Sequence, residues 1–191
     1  MAYFPLFFDL TQKRVLLIGG GRIAAEKLAK LLDFTRDITV IAASVTSEVD
    51  ETVTRYGLTL KRRAYRQGDI DGFDIVVVAT DTVALHRQVY EESRGKGILV
   101  NSVDDTRYCD FIFPSYIKQG DLTIAFSTSG ASPAFAKALR RYIEAILPEG
   151  IDDFLTEMKR LRTTLPKGET RRRILSDAVR RFFDKKEDSD A

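Results

Sequence analysis

A chain of 191 residues, 44% hydrophobic and 30% charged, can bury one good core with an appendage left over, as in an ordinary globular protein. One cysteine, Cys109, and one histidine, His86, exclude an internal disulfide and a Cys/His zinc site. No apolar run approaches the ~20 residues that cross a bilayer, and "MAYFPLFFDL" has no basic leader or small-residue cleavage site. A cytoplasmic protein without a signal peptide is expected.

Short apolar runs alternate with helical patterns as far as about residue 112. Strands are expected at 14–18, 38–42, 59–62, 75–79 and 98–103. Helices are expected at 23–32, 47–56 and 83–94, with a short turn near 68–72. Buried β-branched runs such as "DIVVVAT" between helices predict a parallel sheet covered on both faces, a Rossmann-like doubly wound α/β domain over 1–112. After Asp110 the grammar changes. "FIFPSYIKQGDLTIAFSTSG" reads as a β-hairpin turning at Lys118-Gln119-Gly120-Asp121, and "SPAFAKALRRYIEAIL" as a helix capped by Ser132 with Pro133 in its first turn. Phe135, Leu139, Tyr142, Ile143 and Ile146 form an apolar stripe on that helix. A hairpin and one helix are too small to fold alone, so 113–147 is expected to be a dimerisation region pairing with a second copy. The region 148–191 reads as two amphipathic helices, up to about 183, parted by "LPKGE", then a frayed tail "DKKEDSDA".

The net charge of +2 is unevenly spread, with thirteen basic and eight acidic residues between 113 and 183. A basic second half fits an anionic ligand as well as a solvated helix surface. The "RRRILSDAVRRFF" segment lacks the aromatic interleaving that stacks bases, so neither nucleic acid nor a membrane is an expected partner.

Chemistry is concentrated at the strand ends. "VLLIGGGRIAAEK" fits G-x-G-x-x-G/A through Gly19, Gly21 and Ala24. Gly19 allows the tight turn, Gly21 lets a pyrophosphate approach the backbone, and Ala24 lets the helix pack closely. The second strand ends in "AAS", so no carboxylate awaits a ribose; Ala43 and Ser44 stand at that tip, with no arginine beside them in the sequence. NAD and NADP stay open on this basis. Ligands of open α/β sheets bind outside the carboxyl ends of the strands. That position holds Thr80 and Asp81 in "VVVATDT", and Asn101, Asp104 and Asp105 in "LVNSVDD". His86 reads as a partly exposed helical residue and Cys109 as a small hydrophobe. The Ser127-Thr128-Ser129-Gly130-Ala131-Ser132 loop suits either an anion site or a plain helix cap.

Taken together, "FPLFFDLTQKRVLLIGGGRIAAEKLAKLL", "VVVATDT", "LVNSVDDTRYCDFIFPSYI" and "LTIAFSTSGASPAFAKALRR" resemble the precorrin-2 dehydrogenase / sirohydrochlorin ferrochelatase family, the N-terminal module of siroheme synthase. The resemblance covers residues 4 to about 147 in order. It implies a Rossmann domain, a dimerisation region, a homodimer, and NAD-dependent oxidation of precorrin-2 to sirohydrochlorin in siroheme biosynthesis. It places NAD contacts at Arg22, Ile23, Ala43 and Ser44, beside Gly19, Gly21 and Thr80. It makes Asp104 the catalytic residue. Asn101 and the Ser127, Thr128 and Ser129 loop become candidate substrate contacts, and Arg140, Arg141 and the 171–173 run of the basic second half possible contacts for the carboxylates of precorrin-2. Thr128 stands where the family often has serine. Iron insertion as a second activity, and a non-enzymatic dinucleotide-sensing module, are the competing expectations. No resident metal is expected.

Overall fold

A computed structural model describes residues 3–103 and 105–187. The chain divides into two units, Tyr3–Phe113 and the part from Pro114 onward.

The first unit is an α/β sandwich. Its strands are β1 (Val15–Ile18), β2 (Ile38–Ala42), β3 (Thr59–Arg62), β4 (Ile75–Val78) and β5 (Leu99–Ser102). All neighbours are parallel, in the order β3-β2-β1-β4-β5. The helices are α1 (Arg22–Leu32), α2 (Ser47–Tyr56) and α3 (Val83–Ser93). Because alternate residues of a strand face opposite ways, β1 serves two cores. Val15 and Leu17 join Ala24, Leu28, Val49 and Val53 of α1 and α2. Leu16 and Ile18 join Val76, Val78 and Val89, on the α3 side. This explains why the central strands read as unbroken apolar runs. The sequence-derived strand bounds agree to within a residue at each end, and helix α1 begins one residue earlier than expected.

The second unit holds the hairpin β6 (Ser115–Gln119) and β7 (Leu122–Phe126), then α4 (Pro133–Ile146), α5 (Ile151–Thr164) and α6 (Glu169–Glu187). The turn tip is Gly120-Asp121, with Gln119 paired to Leu122. The Ser132 hydroxyl caps α4 by accepting from the Phe135 N–H at 3.1 Å, with Pro133 in the first turn. Hairpin and α4 are not left to themselves. Helix α5 packs on β7, Asp152 fills the space beside Gly120, and Lys159 pairs with Asp121 at 3.3 Å. Phe154 of α5 stacks on Phe182 of α6 with ring centres 4.2 Å apart.

One expectation is corrected here. Helix α6 continues to Glu187, into the segment expected to fray from residue 184. Lys and Glu are good helix formers and nothing there breaks the pattern. Residues 188–191 lie outside the described residues.

Candidate dinucleotide site

The chain leaves β1 for β2 on one side of it, then crosses back from β3 to β4 on the other. The carboxyl ends of β1 and β4 therefore flank a topological switch point, where open α/β sheets bind their ligands. Gly19 sits in that crevice with φ of +129°, a region closed to most side chains. A Cβ there would overlap the Ala79 carbonyl oxygen at the tip of β4. Gly20, to which the sequence pattern assigned nothing, is equally constrained. Its Cβ would overlap the Ser44 carbonyl, and its own carbonyl accepts from the Thr46 N–H at 2.9 Å. Gly20 thus ties the glycine turn to the tip of β2, through a contact between segments far apart in sequence.

Gly21 differs from both. A Cβ at Gly21 would meet nothing within 4 Å, its φ is an ordinary −85°, and no side chain caps the helix it starts. The first turn of α1 thus starts beside clear space at Gly21 with no capping side chain, which suits a pyrophosphate. Ala24 is fully buried, so α1 lies close against the sheet. The residues present fit a dinucleotide. Ile23 packs half-buried on the α1/α2 core, so its backbone, not its side chain, is presented at the helix start. Arg22 projects outward and pairs with Glu26 at 2.6 Å.

On the ribose side, Ala43 and Ser44 are exposed at the end of β2. Along the chain no arginine adjoins them. Parallel pairing sets Arg62 of β3 directly across from Ala42, a neighbour that only strand register reveals.

At the opposite end, Thr80 is half-buried after β4, and its hydroxyl accepts from the Thr82 N–H at 3.3 Å. Asp81 is exposed. His86 is not the partly exposed residue expected: it is only 4% exposed, and Nε2 lies 2.8 Å from the Thr80 carbonyl. It falls on the same face of α3 as buried Val89 and Ser93, which turns the ring toward the sheet.

Beyond β5, Asp104 lies outside the described residues. Its neighbour Asp105 opens the short 3-10 turn Thr106–Tyr108 by accepting from the Arg107 N–H at 3.1 Å. The Arg107 guanidinium also grips the Asp105 carboxylate, at 2.9 and 2.7 Å, and holds its pKa below the usual aspartate value. Asn101 is buried and its amide donates to the Phe111 carbonyl at 2.8 Å, clasping the returning chain. Asp110 continues that clasp through a two-point pair with Arg94, at 2.9 and 2.7 Å, and by accepting from the Val100 N–H at 2.8 Å. Burial pushes the Asp110 carboxyl up, but Arg94 and the Val100 N–H outweigh it, and the net shift is downward. Burial raises the Cys109 thiol, which donates to the Ser102 carbonyl at 3.1 Å. Among the described residues, three buried side-chain atoms have no hydrogen-bond partner: His86 Nδ1, Asn101 Oδ1 and Ser102 Oγ. Two belong to the carboxyl end of β5 and the third to helix α3. Away from the glycine turn, an open groove of about 820 Å³ runs along the outer face of α3, between Arg87 and Arg107.

The hydroxyl loop belongs to the second unit. Ser127 Oγ accepts from the Ser129 N–H and Thr128 Oγ1 from the Ser132 N–H, each at 3.1 Å. Ser129 takes φ of +51°, unusual for a residue with a side chain. The lone pairs of Ser127 and Thr128 thus shape the loop, while their O–H groups keep the capacity to donate.

Residues 6–115 match the family described as "Putative NAD(P)-binding", and residues 119–146 match "Sirohaem biosynthesis protein central". The chain belongs to the NAD(P)-binding family that the first of these models describes. Curated relatives include a siroheme synthase of Sodalis glossinidius, 36% identical over 183 residues, covering 96% of this chain and 38% of that protein. A siroheme synthase of Methylococcus capsulatus is 40% identical over 148 residues, covering 78% of this chain and 31% of that protein. The chain therefore spans about a third of the length of these relatives. A solved structure named SirC, precorrin-2 dehydrogenase, is 25% identical with a TM-score of 0.79, covering 97% of this chain and all of that one. The family's NAD(P)-binding match contains the glycine turn, the β2 tip, Thr80 and the whole Asn101–Asp110 segment. Among the described residues no helix is long and apolar enough to cross a membrane.

Proposed function

We propose that the chain is an NAD-dependent precorrin-2 dehydrogenase, forming sirohydrochlorin in siroheme biosynthesis, and that it works as a cytoplasmic homodimer. The observation that carries the reading is the open glycine turn: Gly21 faces clear space at the switch point while Gly19 and Gly20 are locked by close backbone neighbours. The SirC likeness over nearly the whole chain supports the substrate.

Bound NAD supplies the acceptor for the hydride that precorrin-2 loses, with a proton released to balance it. The N–H groups after Gly21 hold the pyrophosphate, Arg22 and Ile23 border it, and Ala43 and Ser44 flank the ribose. Thr80, fixed through its carbonyl by His86, limits the nicotinamide end. Asp104 orients the substrate or takes up the proton. Asn101 steadies the segment that carries Asp104, and the Ser127–Ser129 loop donates to substrate carboxylates. For the homodimer, the support is Phe135 and Tyr142 of α4, 59% and 64% exposed, an apolar face that a second copy would cover.

The test is an anaerobic assay with precorrin-2 and NAD, followed by NADH absorbance and the spectrum of the product. Stoichiometric NADH and sirohydrochlorin are expected. A non-enzymatic nucleotide sensor binds NAD and gives neither, which would overturn the reading.

A further inference from the structure

The register of β3 on β2 puts Arg62 across from Ala42, one residue before the Ala43-Ser44 tip. Leu60 packs on the α1/α2 core, and alternation along β3 places Arg62 on that same face. There its Nη2 meets Asp50 Oδ1, on the first turns of α2, at 2.6 Å. The two side chains are 54% and 47% exposed, so the pair is open to a ligand. Its neighbours do not compete. Lys61 pairs with Ile41, whose side chain belongs to the opposite core, and Arg63 is engaged by Asp69 through two contacts of 2.6 Å.

We propose that the Asp50–Arg62 pair is the cofactor-selecting element of this site, discriminating between a ribose 2′-hydroxyl and a 2′-phosphate. The inference rests on the dinucleotide reading given above. The β2 tip lacks the carboxylate that commonly rejects a 2′-phosphate in NAD sites. Asp50 restores a negative charge nearby, carried on α2, and holds the one guanidinium in register with the tip. The neutral 2′-hydroxyl of NAD asks nothing of either group. A 2′-phosphate brings a charge of roughly −2 and must displace Asp50 to reach Arg62. An exposed ion pair holds only loosely, so the discrimination is about two- to fivefold, not thousands. It resides in a contact that one substitution can reverse.

The experiment measures dissociation constants for NAD and for NADP by calorimetric titration of the full chain. The parent is expected to prefer NAD about two- to fivefold. Asp50→Asn keeps NAD affinity and tightens NADP by a similar factor; adding Arg62→Gln erases the gain, as does raised salt. Arg62→Gln alone leaves Asp50 uncompensated and weakens NADP further at constant NAD affinity, which carries the test should Asp50→Asn not fold. Unchanged NADP affinity in these variants, with NAD binding intact, overturns the inference and leaves the NAD reading standing. A parent that binds neither dinucleotide overturns both.

Discussion

His86 Nε2 lies 2.8 Å from the Thr80 carbonyl oxygen, so the start of α3 is tied to the tip of β4 by a side chain. A carbonyl only accepts, so Nε2 is the donor in this bond, while buried Nδ1 has no partner among the described residues. Replacing His86 by Leu leaves the Thr80 carbonyl unsatisfied. Urea unfolding should show a loss of about 1–3 kcal/mol, with weaker NAD binding. His86→Gln, which keeps an amide donor, should recover part of both, and equal damage from Leu and Gln would show that the bond is not what matters.

Gly19 and Gly21 of the turn should separate fold from binding. Gly19→Ala places a Cβ against the Ala79 carbonyl and forces an unfavourable φ, so thermal stability should fall by several kcal/mol or the protein should not fold. Gly21→Ala has an ordinary φ and no neighbour within 4 Å. Its melting temperature should stay near that of the parent while NAD affinity drops about tenfold or more, because the methyl stands where the pyrophosphate approaches.

Asp104→Asn should retain NAD affinity and melting temperature while dehydrogenase turnover falls on the order of 10²-fold or more, as for a lost proton-handling group. Stopped-flow NADH formation and a calorimetric NAD titration on the same sample measure both. Full turnover in the variant would remove Asp104 from the chemistry.

Asp110 gives a pH-dependent prediction. Its folded pKa lies below the ordinary 3.8, so its contribution is present at neutral pH and is lost as pH falls through and below that value. Arg94 is 43% exposed, and screening holds the pair to a modest worth, so Asp110→Asn should cost about 1–2 kcal/mol at pH 7. The gap between parent and variant should begin to narrow below about pH 4 and go on narrowing as pH falls further. Denaturant midpoints measured at pH 7 and at pH 3 read this directly.

The exposed face of α4 makes the oligomer testable. Tyr142→Glu and Phe135→Glu place a charge on that face, and analytical ultracentrifugation should show dimers replaced by monomers with helical content unchanged. A parent that sediments as a monomer removes the proposed homodimer.

Runs such as "VLLI" and "IVVV", broken by glycine turns and helical periodicity, displayed β1, β4 and their crossovers, because local propensity and burial agree there. The hydroxyl cap of α4 was legible for the same reason, being an interaction across three residues. What stayed hidden is non-local. Gly20 matters because Ser44 comes back against it, and Arg62 because β3 falls into register with β2. His86 was misjudged because one position on a helix decides between solvent and sheet, and the helical pattern of "VALHRQVYEES" is weak. The resemblance supplied Asp104, a position that periodicity alone would have left among ordinary turn acids.

The half-buried Cys109 turns the segment after β5 into something that can be timed. Its sulfur accepts from the Ser102 N–H and donates to the Ser102 carbonyl, and burial keeps it protonated, so a thiol reagent meets little nucleophile while the segment lies flat. Alkylation should then be slow in the closed segment and faster when this short piece of chain lifts away from β5. The chain's one sulfhydryl is a built-in clock for the opening of the segment that carries its acidic residues, and ligands that hold the segment down should slow it.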